Sequence, residues 1–380
     1  MASTGAGEKW ACAHSRKPDS GIIVRVKNRR VCLAVLLRIS VGLLLAAPAY
    51  PAQALGGSEA SLAPGPKPAP APLDVSLLVG IYGQGQTTII ILERDGRLFY
   101  RNSDGAEIRI HRSKPRSYEG TLPDLRKVEI LLPRNNTFGV CPFLRIGATT
   151  YKRADGGASA WFHVTPLHAI GALRAAALRA APPQEAGPFR KPDLVELVHL
   201  DPAIHLDIRY AQSNNFLSTP VYTEARAFLE RPAAEALLRA LRKLEPLGYS
   251  LLVHDAYRPW YVTKIFWEAT PPHDHIFVAD PEKGSRHNRG CAVDLTLYDL
   301  ASGKTVEMPG LYDEMSSRSF PNFPGGTSLE RWHRDLLRRA MESEGFTVNE
   351  NEWWHFDYQD WKFYPILNIR FEDLAFSGRP

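Results

Sequence analysis

Apolar positions in the first half of the chain come in short β-branched or alternating runs. The clearest run covers residues 87–92, and the turn-forming pair Asp95-Gly96 separates it from the next apolar residues. A strand, a two-residue turn and a second strand are typical of a β-hairpin. We therefore predict a small β-rich domain at 74–165, with strands at 87–92, 98–100, 108–110, 128–132 and 161–164.

The second half of the chain mixes helical and strand periodicities. Apolar residues recur on one helical face of 232–244, where Pro232 lies in the first turn and Gly248 follows as a stop signal. Helices and strands in mixed order favour an α+β fold. The other predicted elements are helices at 259–268 and 329–344 and strands at 250–254, 292–297 and 352–358.

The N-terminus has the layout of a targeting segment. Basic residues between positions 25 and 30 precede an apolar run at 31–47, and AQA at 52–54 is a small-x-small cleavage pattern. Residues 1–54 are therefore predicted to be a secretory signal peptide or, since the run approaches the ~18 residues of a spanning helix, a membrane anchor. Either function places the folded part outside the cytoplasm, in the periplasm or cell envelope, with a possible membrane tether.

Two connecting segments complete the predicted organisation. Residues 55–73 are rich in Pro and Ala, which is typical of an extended linker. Residues 166–190 contain an Ala/Leu/Arg helix at 169–181 followed by Pro182-Pro183, and we interpret them as a helical connector. The rest of the chain, 191–375, is the second predicted domain.

Composition excludes several classes of protein. A chain of 380 residues with 44% hydrophobic residues is long enough for two domains with ordinary cores. The 46 basic and 41 acidic residues are spread along the chain without a basic stripe, so we expect no nucleic-acid partner. A mature protein would keep only Cys141 and Cys291, which lie in different predicted domains and form no CxxC pair.

Three short stretches carry most of the residues suited to catalysis: 254–259 (HDAYRP), 285–294 (SRHNRGCAVD) and 352–355 (EWWH). His287 and Asp294 offer imidazole and carboxylate ligands for a divalent metal, and Gly290 permits a tight turn between them. Asp294 interrupts an apolar strand, where a carboxylate is costly to bury unless it is paired or metal-bound. The alternative is an aspartate that faces solvent from an amphipathic strand.

The third stretch adds a ligand and a base. His355 would complete a three-ligand site with one zinc position open for water, and Glu352 would be the general base. Positions i and i+3 of a regular strand face opposite sides, so this arrangement requires the strand to end, twist or bulge. The alternative is an aromatic-rich strand with incidental polar residues. Arg258 would stabilise an oxyanion or clamp a carboxylate, or else form a surface ion pair with Asp255.

Together and in this order, the motifs resemble the D-alanyl-D-alanine dipeptidase family, within the zinc DD-peptidases. The resemblance covers 191–375 and includes DAYRP at 255–259, SRHNRGCAVDLTL at 285–297 and EWWH at 352–355. Residues 207–222 resemble the opening segment of that family, and 308–320 its M-x-x-x-F/Y-D loop. The resemblance implies an α+β domain with a central antiparallel sheet and flanking helices.

The resemblance also implies roles for individual residues. One Zn²⁺ would be held by His287, Asp294 and His355. Glu352 would act as general base and acid, and Arg258 would stabilise the tetrahedral intermediate. Ser285, Asp255 and Asp313 match positions that line the substrate pocket, where an acidic residue suits the free amine of the substrate. Tyr312 departs from the commoner Phe, and the β-rich region lies outside the resemblance.

The expected function is zinc-dependent hydrolysis of D-Ala-D-Ala or a similar small D,D-dipeptide. One alternative is a DD- or LD-carboxypeptidase that acts on peptidoglycan stem peptides with the same zinc centre. Another is a non-catalytic, zinc-containing binding protein of the cell envelope, although a structural zinc site needs neither Glu352 nor Arg258. His273 and His275 follow Pro271-Pro272, so we predict a loop there rather than a second metal site.

Overall fold

The computed structural model describes residues 62–133, 140–155 and 163–374. The chain divides into two compact units, and all of these residues belong to Ser58–Pro380. The other unit, Met1–Gly57, lies outside the described residues, together with the predicted leader and its apolar run at 31–47. None of the helices in the described part of the chain has the length and apolarity needed to cross a membrane.

Eight strands of the first half form an antiparallel meander in which each strand pairs with the next. Its two ends are also joined, because the Gly83 N–H donates to the Lys152 carbonyl beside a bridge between Tyr82 and Arg153. The meander therefore closes into a small barrel, and its first and last strands protect each other's edges. The strands are β1 (Gly80–Tyr82), β2 (Ile89–Arg94), β3 (Arg97–Arg101), β4 (Glu107–Lys114), β5 (Ser117–Thr121), β6 (Lys127–Leu131), β7 (Phe143–Ile146) and β8 (Thr149–Lys152).

The local pattern of the barrel follows the sequence prediction. Asp95 and Gly96 join β2 to β3 with φ of 50° and 75°, as a type I′ turn requires. In β6, Val128 is buried while its neighbours Lys127 and Glu129 are exposed. Alternation of this kind gives the barrel an apolar interior and a polar exterior.

The strand predicted at 161–164 is wrong in its described part. Trp161 and Phe162 lie outside the described residues, and His163 and Val164 are in no strand. The Val164 N–H instead donates to the Phe216 carbonyl, and its side chain joins the core of the second half. The barrel ends at β8, a strand with too little apolar content to stand out in the sequence.

The second half is built around a six-stranded sheet, which is antiparallel apart from one parallel pair, β10 with β12. The central sheet is thus mainly antiparallel, as expected, and the sequence carries no signal for the parallel pair, since β10 has only two residues and a helix crosses over before β12. The strand order is β10-β12-β13-β16-β15, with β14 on β13 and a separate pair β9–β11. The strands are β9 (Leu194–Glu196), β10 (His205–Leu206), β11 (Phe228–Glu230), β12 (Tyr249–Asp255), β13 (Ala292–Asp299), β14 (Lys304–Thr305), β15 (Phe346–Asn349) and β16 (Glu352–Tyr358).

Helices flank this sheet, and the two longest begin with recognisable signals. Pro232 lies in the first turn of α4, and Thr327 and Glu330 form a capping box at the start of α6. The α-helices are α1 (Leu73–Ser76), α2 (Ile170–Ala177), α3 (Leu197–Leu200), α4 (Arg231–Leu244), α5 (Trp260–Ala269) and α6 (Ser328–Glu342). Short 3-10 helices lie at Gly85–Thr87, Arg209–Ala211, Glu245–Leu247, Pro272–Phe277, His287–Arg289, Ser317–Ser319, Trp361–Phe363 and Phe371–Asp373.

Each half of the described structure has its own hydrophobic cluster. Cys141 belongs to the cluster of the barrel and Cys291 to that of the second half, and both are buried free thiols. The two cysteines therefore do not pair with each other.

Candidate active site

The register of three strands places candidate site residues side by side. Asp255 on β12 pairs with Asp294 on β13, which in turn pairs with His355 on β16. Residues directly opposite in an antiparallel pair project from the same face of the sheet. His287 reaches this row from the 3-10 helix that precedes β13, and Gly290 ends that helix with φ of 63°.

Only glycine fits at position 290. A Cβ there would lie 2.5 Å from Cδ2 of Leu194, and the positive φ disfavours other residues. The tight turn that the sequence predicts at this residue therefore exists. The turn lets the chain return from His287 to the sheet, where Asp294 is the third residue of β13.

His287, Asp294 and His355 form a buried cluster suited to a metal ion. His287 Nε2 lies 3.1 Å from His355 Nδ1 and 3.3 Å from Asp294 Oδ1, and the last two atoms are 3.1 Å apart. Two bonds of ~2.0–2.1 Å at a tetrahedral angle place ligand atoms ~3.3 Å apart. The spacing thus matches a tetrahedral site with these three ligands.

Hydrogen bonds behind the cluster orient both imidazoles. Nδ1 of His287 lies 2.6 Å from the Ala256 carbonyl, and Nε2 of His355 lies 2.8 Å from Asp357 Oδ1. Because an oxygen acceptor requires the N–H form at each of these atoms, the opposite nitrogens present lone pairs to the cluster. Three lone pairs converge there, and Asp294 Oδ1 accepts no hydrogen bond within the described residues. A cation satisfies this arrangement.

The electrostatics of Asp294 also suit a cation site. Burial alone would raise the pKa of Asp294, but the neighbouring imidazoles of His287 and His355 hold that pKa well below its usual range. This shift favours the anionic form of Asp294, which is the form that binds a metal ion. The Tyr312 hydroxyl donates to the second carboxylate oxygen, Oδ2, at 3.1 Å and leaves Oδ1 directed at the imidazoles.

Glu352 reaches the same site because β16 bulges. Val348 on β15 pairs with Phe356, but the next residue, Asn349, pairs with Glu352. This irregularity turns Glu352 to the side of His355, and Glu352 Oε2 lies 3.6 Å from His355 Nδ1. Burial raises the pKa of Glu352 to about 7, although His355 opposes the shift. A carboxylate with this pKa beside a metal cluster is suited to accept and return a proton near neutral pH.

Arg258 is buried rather than on the surface. Its Nε and Nη2 donate to Asp255 Oδ2 at 2.9 and 2.7 Å, and its guanidinium lies over the ring of Phe266. The Tyr222 hydroxyl donates to the other oxygen of Asp255 at 2.6 Å. Asp255 and Tyr222 thus hold the guanidinium at the edge of the cavity.

Asp255 corrects one sequence prediction. It was predicted to line the substrate pocket, whereas the structure places it behind Arg258, with both oxygens occupied by protein partners. The bulge of β12 at His254 brings Asp255 opposite Asp294, and the hydrogen bonds from Tyr222 and Arg258 then occupy both of its oxygens. Burial raises the pKa of Asp255, and Arg258 opposes that shift.

Beside the cluster lies a cavity of about 470 Å³, lined by Ser285, Asp313 and Glu352 among others. Asp313 has a φ of 58°, and its Oδ1 accepts a hydrogen bond of 3.0 Å from the Tyr210 hydroxyl. Its Oδ2 is shielded from solvent without a hydrogen-bond partner among the described residues. Burial, together with the charge of Asp294, raises the pKa of Asp313 well above its usual range. A cationic group in the cavity would satisfy this carboxylate.

Sequence reasoning missed Asp357 and Tyr210. Asp357 follows His355 by two positions on β16, so the period of a strand already places both side chains on one face. Tyr210 had no such signal, since it reaches Asp313 from a distant 3-10 helix. His273 and His275 belong to the helix Pro272–Phe277, and neither is in the one metal-type cluster found among the described residues.

Two imidazoles and a carboxylate, with a glutamate and a cavity beside them, are the arrangement of a metal-dependent peptidase. Comparison with known proteins identifies the family within this class. A peptidase M15 family model described as D-Ala-D-Ala dipeptidase matches residues 190–375. The chain belongs to the D-alanyl-D-alanine dipeptidase family and is a metallopeptidase.

Curated relatives support the same assignment. The D-alanyl-D-alanine dipeptidase of Escherichia coli K12 is 34% identical over 186 residues, which are 95% of that protein and 49% of this chain. The D-alanyl-D-alanine dipeptidase of Enterococcus faecium is 34% identical over 185 residues, 90% of its length and 44% of this chain. The barrel lies outside the residues that the family model matches.

Proposed function

We propose that the protein hydrolyses D-Ala-D-Ala or a similar D,D-dipeptide with one Zn²⁺ held by His287, Asp294 and His355. The observation that carries this proposal is the convergence of His287 Nε2, His355 Nδ1 and Asp294 Oδ1 within 3.3 Å, with Glu352 Oε2 at 3.6 Å from His355 Nδ1. Imidazole and carboxylate ligands at tetrahedral spacing are characteristic of zinc, and His287, Asp294 and His355, which would hold the ion, line the cavity.

Zinc bound by these ligands supplies a Lewis acid for the peptide carbonyl and lowers the pKa of water to ~7. Glu352 takes the proton from the attacking water and returns it to the leaving amine, as its raised pKa allows. Arg258 uses Nε and Nη2 for Asp255, which leaves Nη1 to donate to the oxyanion that develops on the substrate.

The cavity accounts for a small substrate with a free amine. The unpartnered Oδ2 of Asp313 receives the ammonium group of the dipeptide, and the charge pair removes the penalty of a buried carboxylate. The relatives are D-alanyl-D-alanine dipeptidases, and a small dipeptide with a free amine fits this pocket. The leader predicted at 1–54 supports action outside the cytoplasm.

The test uses zinc-loaded full-length protein on free D-Ala-D-Ala, L,D-dipeptides and a pentapeptide stem. We expect cleavage of D-Ala-D-Ala, sensitivity to EDTA and one zinc per chain. Glu352→Gln should lower kcat by about 10²–10⁴-fold and leave zinc bound, because a general base contributes by this factor. A variant that retains wild-type kcat would refute the role of Glu352.

Glu342→Gln is the matched control, since Glu342 is exposed on α6 and paired with Arg338. It should leave kcat and KM unchanged. Preferential cleavage of the stem peptide would support the DD- or LD-carboxypeptidase instead. Absence of hydrolysis on every D,D-peptide with stoichiometric zinc present would overturn the proposed substrate class.

A further inference from the structure

The barrel contacts the second half of the structure along residues 309–331, the segment that carries Asp313. At the end of this segment, Glu93 of β2 accepts a hydrogen bond of 2.7 Å from the Ser328 N–H, and the Glu93 carbonyl accepts one of 2.7 Å from Arg331. In the middle of the segment, Arg318 reaches back to Asp155, just beyond β8. The barrel thus holds the segment at two points.

The second point is a chain of buried charges, which we call the ion chain: Arg153, Asp155, Arg318 and Glu314. Successive members lie 2.6, 3.5 and 3.4 Å apart, and their side chains are only 3–12% exposed. Arg318 Nη1 also donates to the Asp155 carbonyl at 3.4 Å. Charges shielded from water interact more strongly than surface pairs, so the loss of Arg318 would separate the Arg153–Asp155 pair from Glu314.

The barrel end of the ion chain is fixed where the barrel closes. Asp155 Oδ2 accepts a hydrogen bond of 3.0 Å from the Ile81 N–H, and Arg153 Nη1 donates to the Tyr82 hydroxyl at 2.9 Å. Ile81 and Tyr82 belong to β1, which pairs with the residues after β8. Asp155 is therefore part of the rigid frame of the barrel.

The other end of the ion chain closes the loop 309–318 on itself. Arg318 Nε donates to the Pro309 carbonyl at 2.9 Å, so one guanidinium connects both ends of the loop. Glu314 accepts hydrogen bonds from the Leu311 N–H at 2.9 Å and from the Ser316 hydroxyl at 2.7 Å. Arg318 thus binds Pro309 directly and is connected through Glu314 to Leu311 and Ser316.

Asp313 lies inside this loop, next to Glu314, with its backbone in the left-handed region at φ of 58°. Aspartate tolerates this region better than most residues other than glycine, and hydrogen bonds of the surrounding loop stabilise it further. The neighbouring hydrogen bonds of Glu314 and Arg318 provide that stabilisation, and the ion chain transmits it from the barrel.

We propose that Arg318 and Asp155 are positioning residues, through which the barrel holds Asp313 towards the substrate cavity. The inference rests on the proposed function, in which Asp313 receives the ammonium group of the dipeptide. Arg318 lies within the residues that match the family model, whereas its partner Asp155 lies outside them. The barrel is accordingly a part of the catalytic unit of this chain.

Steady-state kinetics of the zinc-loaded full-length chain on D-Ala-D-Ala test the proposal. Arg318→Met and Asp155→Asn should each raise KM about tenfold with kcat within twofold of wild type, because the contact with the substrate amine is weakened rather than the chemistry. Arg318→Lys keeps the charge and should give an intermediate KM. The double variant should match the larger single effect, since both changes break one connection.

Arg331→Met is the matched control, because it removes another arginine contact between the same two parts of the structure, outside the ion chain. It should lower the melting temperature and leave KM unchanged. The proposal is overturned if Arg318→Met leaves KM within twofold of wild type, or if Arg331→Met raises KM as much. Zinc affinity, measured by chelator competition, should be the same in all variants.

Hydrogen exchange of loop peptides from 308–320 tests the inference without any substrate. Exchange should be several-fold faster in Arg318→Met and Asp155→Asn than in wild type and Arg331→Met. Unchanged protection of the loop would overturn the positioning role even if the enzyme is active. Conversely, a wild-type protein that cleaves no D,D-dipeptide would refute the proposed function, while loop exchange would still decide whether the barrel holds the loop.

Discussion

The barrel and the central sheet of the peptidase half bury their strands in opposite ways. In β6 of the barrel, buried apolar residues alternate with exposed charged ones. In β13 of the peptidase half, six consecutive residues from Ala292 are buried, and Asp294 is among them. A strand covered on both faces has no solvent side on which to place a charge, so a charge on it needs a partner inside the protein. The strand that carries a buried charge, β13, therefore belongs to the sheet that contains the candidate metal site, whereas β6 contributes no residue to that site.

The largest expected effect is that of metal removal, which acts on one side of this comparison. EDTA should abolish hydrolysis and destabilise the peptidase half by about 4 kcal/mol, the value for a ligand held at a thousand times its Kd. Hydrogen exchange should rise in β13 and β16, because a bound metal no longer connects the ligands on these strands, and stay unchanged in β5 to β7. An equal rise of hydrogen exchange in both sheets would show that the two halves unfold as one. The metal would then not stabilise the peptidase half separately from the barrel.

Two buried glutamates sharpen the comparison further. Burial raises the pKa of Glu230, at the end of β11, from 4.5 to about 7. Between these pH values the folded protein binds a proton that the unfolded chain does not, so stability falls as pH rises through this window. Glu230→Gln removes this dependence and should raise the free energy of unfolding at pH 8. We expect a gain of about 1–2 kcal/mol, below the full ~3.4 kcal/mol because solvent screens part of the charge.

Glu93 provides the matched control in the barrel. Its carboxylate is equally buried, but both of its oxygens accept backbone hydrogen bonds, from the N–H groups of Gly96 and Ser328, whereas Glu230 accepts one from the Asp193 N–H at Oε2 and has no partner for Oε1 among the described residues. Glu93→Gln exchanges an acceptor for a donor and should therefore destabilise the protein. Denaturant unfolding of both variants at pH 5 and pH 8 measures the difference. A destabilised Glu230→Gln at pH 8 would contradict the assignment of Glu230 as an unfavourable buried charge.

The smallest effect concerns a single hydroxyl behind the metal cluster. Tyr312→Phe removes the hydrogen bond to Asp294 Oδ2, and we expect zinc affinity to fall about tenfold, as for other groups that orient a metal ligand. Tyr358→Phe on β16 is the control, because the Tyr358 hydroxyl has no hydrogen-bond partner in the described part of the chain. Chelator competition measures both variants. Equal affinities would mean that Asp294 is oriented by its backbone alone.

Much of the fold is legible in the sequence where one local signal decides it. Strand β16 and helix α4 lie at or within one residue of their predicted bounds, because the aromatic-rich run of the first and the helical stripe after Pro232 in the second are strong local signals. The strand predicted at 161–164 fails, since an apolar run is equally compatible with packing in a core without strand pairing, as Val164 does.

The candidate site shows the same division. His287, Asp294 and His355 were predicted from residue types and from resemblance, and the structure brings them together. The resemblance alone implied that Asp255 lines the pocket, whereas Asp255 lies behind Arg258 because Tyr222 and Arg258 bind its two oxygens. A bulge in β12, which shifts the strand by one residue, sets which residue of β12 faces Asp294. A one-residue shift turns a side chain to another partner, and the sequence carries no signal for it.

The sequence by itself determined which residues are able to bind a metal, which segments are strands or helices, and which family motifs the second half contains. These properties depend on residue types and on spacing over a few positions. Only the tertiary structure decided that β16 bulges to bring Glu352 beside His355, and that Asp155 of the barrel reaches Arg318 of the loop 309–318. Contacts between residues more than 150 positions apart depend on how whole elements pack, and no local pattern encodes that packing.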